Sequence, residues 1–385
     1  MILSRTLPAL ITLLYCALLT PAAFASAHHR HHHHTSAPPK QVVLDLTPVI
    51  VQPYDAVLPT SPVQASYQKR MNLENGVEVR GTRGIAPSDV TTRNLFILSV
   101  TQSLEGGYDS VNLYDKGVLS WGLMQWTAGT GSLPPMLTYL KRRLMRTGQK
   151  AVWDKVFIGQ GLDADAQHLF AYGKPLLTSD DMRRAFRGSA LPGNYDPKIT
   201  NYWAVVFARA GRQSAVQQLQ CEYAEQVVDT VLAQTTPSQK TTLAGLCGRD
   251  PFAEALLFAL WTNNPRHASE YAGDAVRLAR QKTGESDPAL WGPSAFRDAL
   301  LARCRTSRFS NWKERGELIA SKAAALHTAP PALLTPYERV CQTALSARKV
   351  QLAAGQRQPT PLRPQGESIL ILLVICCNLL TVVAE

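Results

Sequence analysis

Acidic residues are scarce in this chain. Over 385 residues it carries 29 Asp and Glu against 40 Lys and Arg, a formal net charge of +11 and an isoelectric point near 9.4. That balance disfavours a cationic partner and favours an anionic one, such as nucleic acid, a membrane surface or an acidic wall polymer. Several signatures are missing as well. No cysteine pair has zinc-finger spacing. Ser120 in "GVLSWG" has two residues between it and the preceding glycine, so the G-x-S-x-G of a hydrolase elbow is absent. "GTGS" (Gly129–Ser132) lacks the further glycines of a dinucleotide loop and the Gly-Lys of a phosphate loop, and "HASE" is not a zinc-protease helix. No aromatic–basic reading motif supports a nucleic-acid partner beyond bulk charge, and no repeat of constant period is visible.

What is present divides the chain into five parts. Residues 1–27, "MILSRTLPALITLLYCALLTPAAFASA", join an early arginine, a short apolar run and overlapping Ala-x-Ala sites, the pattern of a cleaved secretory signal. The residue before Cys16 is not small, which argues against a lipid-modified N-terminus. The expected destination is the periplasm, the cell envelope or the exterior. Residues 28–86 read as a linker, mostly disordered. It opens on "HHRHHHH", a low-complexity tract that also has the chemistry to take a transition metal, and "VVLDLTPVIV" (Val42–Val51) is a candidate strand. Residues 87–348 carry the folded domain, 349–367 a second linker, and 368–385 an apolar tail. "SILILLVICCNLLTVVA" (Ser368–Ala384) is slightly short for a bilayer core of about 30 Å, which leaves membrane association open. An oxidising compartment would let Cys221, Cys247, Cys304 and Cys341 form two disulfides, with Cys221–Cys247 favoured by proximity; buried thiols are the alternative.

Helical patterning dominates from Ser88 to about Arg348. Asp250-Pro251 is a good helix start, a capping side chain followed by a residue that needs no amide donor. "KRRLMR" (Lys141–Arg146) is a basic helix face, and Asn263 and Asn264 close an apolar helix.

The chemistry concentrates in "SLEGGYDSVNLYDKGVLSWGLMQW" (Ser103–Trp126). Phe96, Ile97, Val100 and Leu104 share an apolar face, so the helix before Glu105 is expected to be buried, and Gly106-Gly107 ends it. The field at a helix C-terminus and partly apolar surroundings both disfavour an ionised carboxyl. A carboxyl that keeps its proton suits the protonation of a leaving oxygen. "VNLY", a turn at Asp115-Lys116-Gly117 and "VLSW" predict a hairpin that turns Asp115 and Ser120 back towards the helix end. Two carboxylates flanking a bond are the apparatus of glycoside cleavage.

This stretch, about residues 95–127, resembles the phage-type lysozymes: a glutamate closing a helix, a Tyr-Asp turn and a following hydroxyl residue. "GLMQ" (Gly122–Gln125) is similar to a motif of soluble lytic transglycosylases and goose-type lysozymes. Those transglycosylases usually have Ser where Gly106 stands and Gly-Ala where Ser120-Trp121 stands, and they use no turn aspartate. The resemblance implies an α+β, predominantly α-helical, lysozyme-like fold with a small hairpin as one wall of the cleft. It implies Glu105 as acid, Asp115 as water activator, Ser120 as water-orienting hydroxyl and Gln125 as a sugar contact. Tyr114 and Trp126 are the candidate aromatic faces for sugar rings. No metal or cofactor is implied. The expected partner is peptidoglycan or a related anionic wall glycan, cleaved as by a muramidase or a lytic transglycosylase. A chitinase- or chitosanase-type enzyme and a glycan-binding protein without turnover are the alternatives, although the positive charge argues against polycationic chitosan.

Overall fold

The computed structural model describes residues 44–54, 74–85, 92–235, 241–248, 250–292 and 294–328. The signal-like segment, the histidine tract, Cys341 and the apolar tail lie outside these residues. The described residues all belong to one compact unit, and they form mixed α+β structure in which helices predominate.

Five short strands make an antiparallel meander: β1 (Gln52–Tyr54), β2 (Gly76–Val79), β3 (Val111–Asn112), β4 (Ser120–Trp121) and β5 (Trp126–Thr127). The register sorts their side chains by face. Val79, Val111, Trp121 and Trp126 align on one side and are all buried. Gln52, Glu78, Asn112, Ser120 and Thr127 align on the other. Alternation of side chains along each strand produces this division. The apolar face meets α5 (Pro197–Arg212), where Trp121 touches Phe157 and Phe207 edge-on.

The predicted hairpin is therefore part of a larger sheet, and the folded unit does not start at residue 87. Residues 44–54 and 74–85, expected to be linker, belong to it. Their anchor is Asp109, which is fully buried. Its carboxylate accepts from the Thr82 and Arg83 amides and from Thr82 Oγ1, and pairs with Arg212 Nε at 3.0 Å. Arg212 Nη1 in turn donates to the carbonyls of Thr47 and Pro48. A buried carboxylate needs such partners, and no local pattern in the sequence announces partners so far apart.

The first helix, α1 (Thr92–Glu105), is followed by α2 (Leu133–Arg146) and α3 (Lys150–Val156). Next comes a second meander, β6 (Leu162–Ala164), β7 (Leu169–Ala171) and β8 (Lys174–Leu176), inside the region where helical patterning was expected to dominate. Then α4 (Ser179–Arg187) begins with a capping box between Thr178 and Asp181. Two long helices follow, α5 and α6 (Ser214–Leu232), separated at Gln213, which is extended. The short α7 (Leu243–Leu246) leads to α8 (Pro251–Asn263). Asp250 caps α8 by accepting from the Phe252 amide at 2.9 Å, as the Asp-Pro start predicts. Every residue from Phe252 to Leu260 is buried, as befits a helix that is apolar all round. It lies among α1, α9 (Pro265–Thr283), α10 (Ala295–Arg305) and α11 (Ser310–Thr328).

The favoured Cys221–Cys247 disulfide is not formed. Cys221, Cys247 and Cys304 are buried thiols; the Cys221 sulfur faces the Tyr108 hydroxyl at 2.7 Å in the core. Burial pushes the Cys304 thiol up to about 12. No helix among the described residues is long and apolar enough to cross a membrane.

Candidate active site

Glu105 is the last residue of α1. The chain must turn sharply after it, and two glycines permit this for different reasons. Gly106 takes a φ of 128°, which side chains rarely adopt. Gly107 is needed for space, since a Cβ there would stand 2.3 Å from the Arg83 carbonyl oxygen. The Glu105 carboxylate is mostly shielded and is not alone: Oε1 lies 2.7 Å from Arg315 Nη2 on α11. This is an ion pair by distance, while Oε1 has no aligned hydrogen-bond donor, so Coulomb attraction holds the contact. Arg315 also donates to the Ala259 carbonyl. The partly apolar surroundings expected for this carboxyl therefore also include a cation, Arg315.

Asp115 begins the tight turn, its carbonyl accepting from the Val118 amide at 3.0 Å. That turn is clamped by Arg187, the fully buried last residue of α4. Arg187 Nη2 donates to the Asp115 carbonyl, Nε donates to the Val118 carbonyl at 3.1 Å, and Nη1 pairs with Glu74 at 2.6 Å. The Asp115 side chain has a different environment. Its Oδ1 is buried without a well-aligned donor, the Gly117 amide being the nearest one to the carboxylate, and Ser120 Oγ likewise has no aligned partner. Both atoms converge on Gly117: a Cβ there would stand 2.9 Å from Asp115 Oδ1 and 3.3 Å from Ser120 Oγ. Burial raises the Asp115 carboxyl above its ordinary value of 3.8, against the opposing pull of Arg187 and of the Gly117 amide. Two unsatisfied polar atoms facing one small space are costly to fold, and they form a site suited to a small hydrogen-bonding guest such as water.

Tyr114 lies within electrostatic reach of both carboxylates. Its phenol is raised first by burial, then by Asp115, Glu78, Tyr54 and Glu105, which puts all of these groups within electrostatic reach of one hydroxyl. Its ring is stacked on Tyr54 at 3.8 Å between centroids, so one aromatic face is already occupied.

The remaining expected contacts are placed differently. Both ends of the Gln125 amide are engaged: Oε1 accepts from Asn112 Nδ2 at 2.8 Å, and Nε2 donates to the Gly122 carbonyl at 3.1 Å. Gln125 has a φ of 49° and holds the loop after β4 against β3. Trp126 is buried on the core face of the sheet beside Tyr223. It offers no ring face to a sugar, because register with Trp121 turns it inward. Asn263 and Asn264 do structural work: Asn263 Oδ1 accepts from Trp312 Nε1 at 2.7 Å, and Asn264 caps α9.

The structure thus brings Glu105, Tyr114, Asp115 and Ser120 into one neighbourhood, with Gln125 as a brace and Trp126 behind it. Sequence reasoning missed Glu78, Arg187 and Arg315. The alternation in "GVEV" (Gly76–Val79) was the available signal for Glu78. Arg187 and Arg315 come from distant helices and leave no local trace. No group of three or more His, Cys, Asp or Glu among the described residues is arranged to hold a metal.

Comparison with known families, curated proteins and solved structures finds no match. The reading of this site rests on its own chemistry.

Proposed function

We propose that the protein is an exported glycosidase that cleaves peptidoglycan, or a closely related β-1,4-linked N-acetylated glycan, with Glu105 as general acid. The observation that supports the reading is the pair of buried polar atoms beside Gly117, Asp115 Oδ1 and Ser120 Oγ, neither with an aligned partner in the protein, next to a Tyr114 hydroxyl that feels both Asp115 and Glu105. In this reading substrate binding parts Glu105 from Arg315, and the carboxyl, having taken a proton from solvent, gives it to the glycosidic oxygen as the bond to the anomeric carbon breaks. A water held by Asp115 and Ser120 attacks that carbon, and its proton passes to Asp115. A hydroxyl of the sugar itself closing an anhydro ring is the transglycosylase version, and it needs no such water. The net charge of +11 suits an acidic polymer, and export rests on the pattern of residues 1–27.

The test compares the full chain with Glu105→Gln on purified peptidoglycan, reading soluble products by mass spectrometry. The expected outcome is reducing-end fragments from the wild type and a loss of roughly 10²- to 10⁴-fold in rate for the variant, the usual contribution of a positioned acid. Anhydro ends would assign the transglycosylase route. Binding without cleavage by both proteins would replace the proposal with a glycan-binding role.

A further inference from the structure

We infer that the face built from the second meander, α4 and α5 holds a separate binding site for an acidic saccharide. A concavity of about 660 Å³ lies there, and none of its lining residues belongs to the Glu105–Asp115 neighbourhood. That volume falls within the range of ligand sites. Its rim is aromatic and cationic: Tyr172, Tyr202 and the edge of the buried Trp203, with Lys174, Arg184 and Lys198.

Tyr172 is the informative residue. With Gly173 it makes the two-residue β7–β8 turn, and both take positive φ, 51° and 77°. Such turns favour Asn-Gly, and a tyrosine in this conformation is uncommon. Nothing in the core requires it, since Tyr172 is 69% exposed. Its ring is nevertheless fixed. Ring carbons lie 2.5 Å from where a Gly161 Cβ would stand, so one face rests on the Gly161 backbone. The Tyr202 ring lies beside Trp203 at 5.1 Å and is held by a hydrogen bond from its hydroxyl to the Gln160 carbonyl. A strained residue retained on a rigid turn, presenting an aromatic surface, points to binding.

The charges narrow the ligand. Arg184 has Asp181 at 3.4 Å, while Lys174 and Lys198 make no ion pair among the described residues. Asp181 is the one carboxylate in the lining, and it is already committed to the Thr178 capping box. Two unmatched ammonium groups beside ordered aromatic rings suit a ligand with C–H faces to stack and a carboxylate to pair. An N-acetylated saccharide bearing a lactyl carboxylate has both. The identity of the polymer rests on the function proposed above; the acidic-saccharide chemistry does not. One helix serves both places, because α4 sends Arg184 to this rim and Arg187 to the Asp115 turn.

The experiment titrates the full-length Glu105→Gln chain calorimetrically with a soluble β-1,4-linked N-acetylglucosamine–N-acetylmuramic acid tetrasaccharide with free lactyl carboxylates. Chitotetraose is the neutral control. Two binding events are expected, and Tyr172→Gly is expected to remove one. Glycine suits that backbone, so the melting temperature should not fall and loss of binding will not reflect unfolding. Lys174→Gln with Lys198→Gln should weaken the same event by roughly tenfold or more and leave chitotetraose binding unchanged. A single event abolished by Tyr172→Gly would uphold this site and count against the cleft. Binding that Tyr172→Gly leaves intact would overturn the site, and equal affinity for acidic and neutral saccharides would overturn its acidic specificity.

Discussion

Asp115 carries an electrostatic cost that can be measured directly. Burial raises its carboxyl, so the folded protein binds that proton more tightly than the unfolded chain does. Above the raised value the folded state therefore pays to keep the carboxylate charged. As pH falls through the raised value towards 3.8, that cost disappears. Asp115→Asn is accordingly expected to raise the melting temperature at neutral pH, with the gain shrinking to nothing at the acid end of the window. A constant difference across pH would contradict the assignment. The acid limb of any glycosidase activity should lie above the ordinary aspartate range for the same reason. At this scale the sequence was most informative. Glu105, Asp115 and Ser120 fall within sixteen residues, and turn chemistry alone brings the last two together. Trp126 was misplaced because adjacent strand residues face opposite ways, and the register that decides which faces inward depends on pairing with Trp121.

Among the elements, the helices and the β3–β4 hairpin were legible and the other strands were not. Apolar periodicity over several turns marks α1, α5, α6 and α8, and turn residues mark the hairpin, whereas strands of two to four residues show at most one or two alternating pairs. The second meander went unseen for that reason. The break between α5 and α6 was hidden too: a Cβ at Gly211 would stand 2.1 Å from the Tyr108 carbonyl oxygen, so contact with another part of the chain decides where that helix can run. Helix α4 links its neighbours through Arg187, which joins Glu74 to two carbonyls of the Asp115 turn. Arg187→Met leaves the Glu74 carboxylate buried without its main partner and is expected to cost about 3–5 kcal/mol, measured by urea denaturation. Removing both charges in Arg187→Met with Glu74→Leu should recover part of that loss. Amide exchange at Val118 should also accelerate in the single variant, because its bond to the Asp115 carbonyl loses the clamp.

Across the whole molecule, the charge excess and the helical majority were readable from composition and pattern, while the extent of the folded unit was not. The earliest described residues are tied to it by a buried ion pair, Asp109 with Arg212, whose arginine also grips the chain at Thr47 and Pro48. A chain that begins at residue 87 is therefore expected to aggregate or to lose its cooperative thermal transition, because β1, β2 and the Asp109 donors are gone. A chain that begins at residue 40 should melt like the full-length protein. Differential scanning calorimetry of the two truncations distinguishes these outcomes.

The grip on Thr47 reaches across 165 positions, and that span bears on the order of events during synthesis. The edge strand emerges from the ribosome early, yet the arginine that secures it emerges only after all the strands of both sheets and five helices. Until then β2 has an open edge, a template for pairing with the wrong chain. Contacts between residues so far apart in sequence also form slowly. The first part of the unit to be made is among the last to be fastened, and that interval is when the nascent protein has most need of a chaperone.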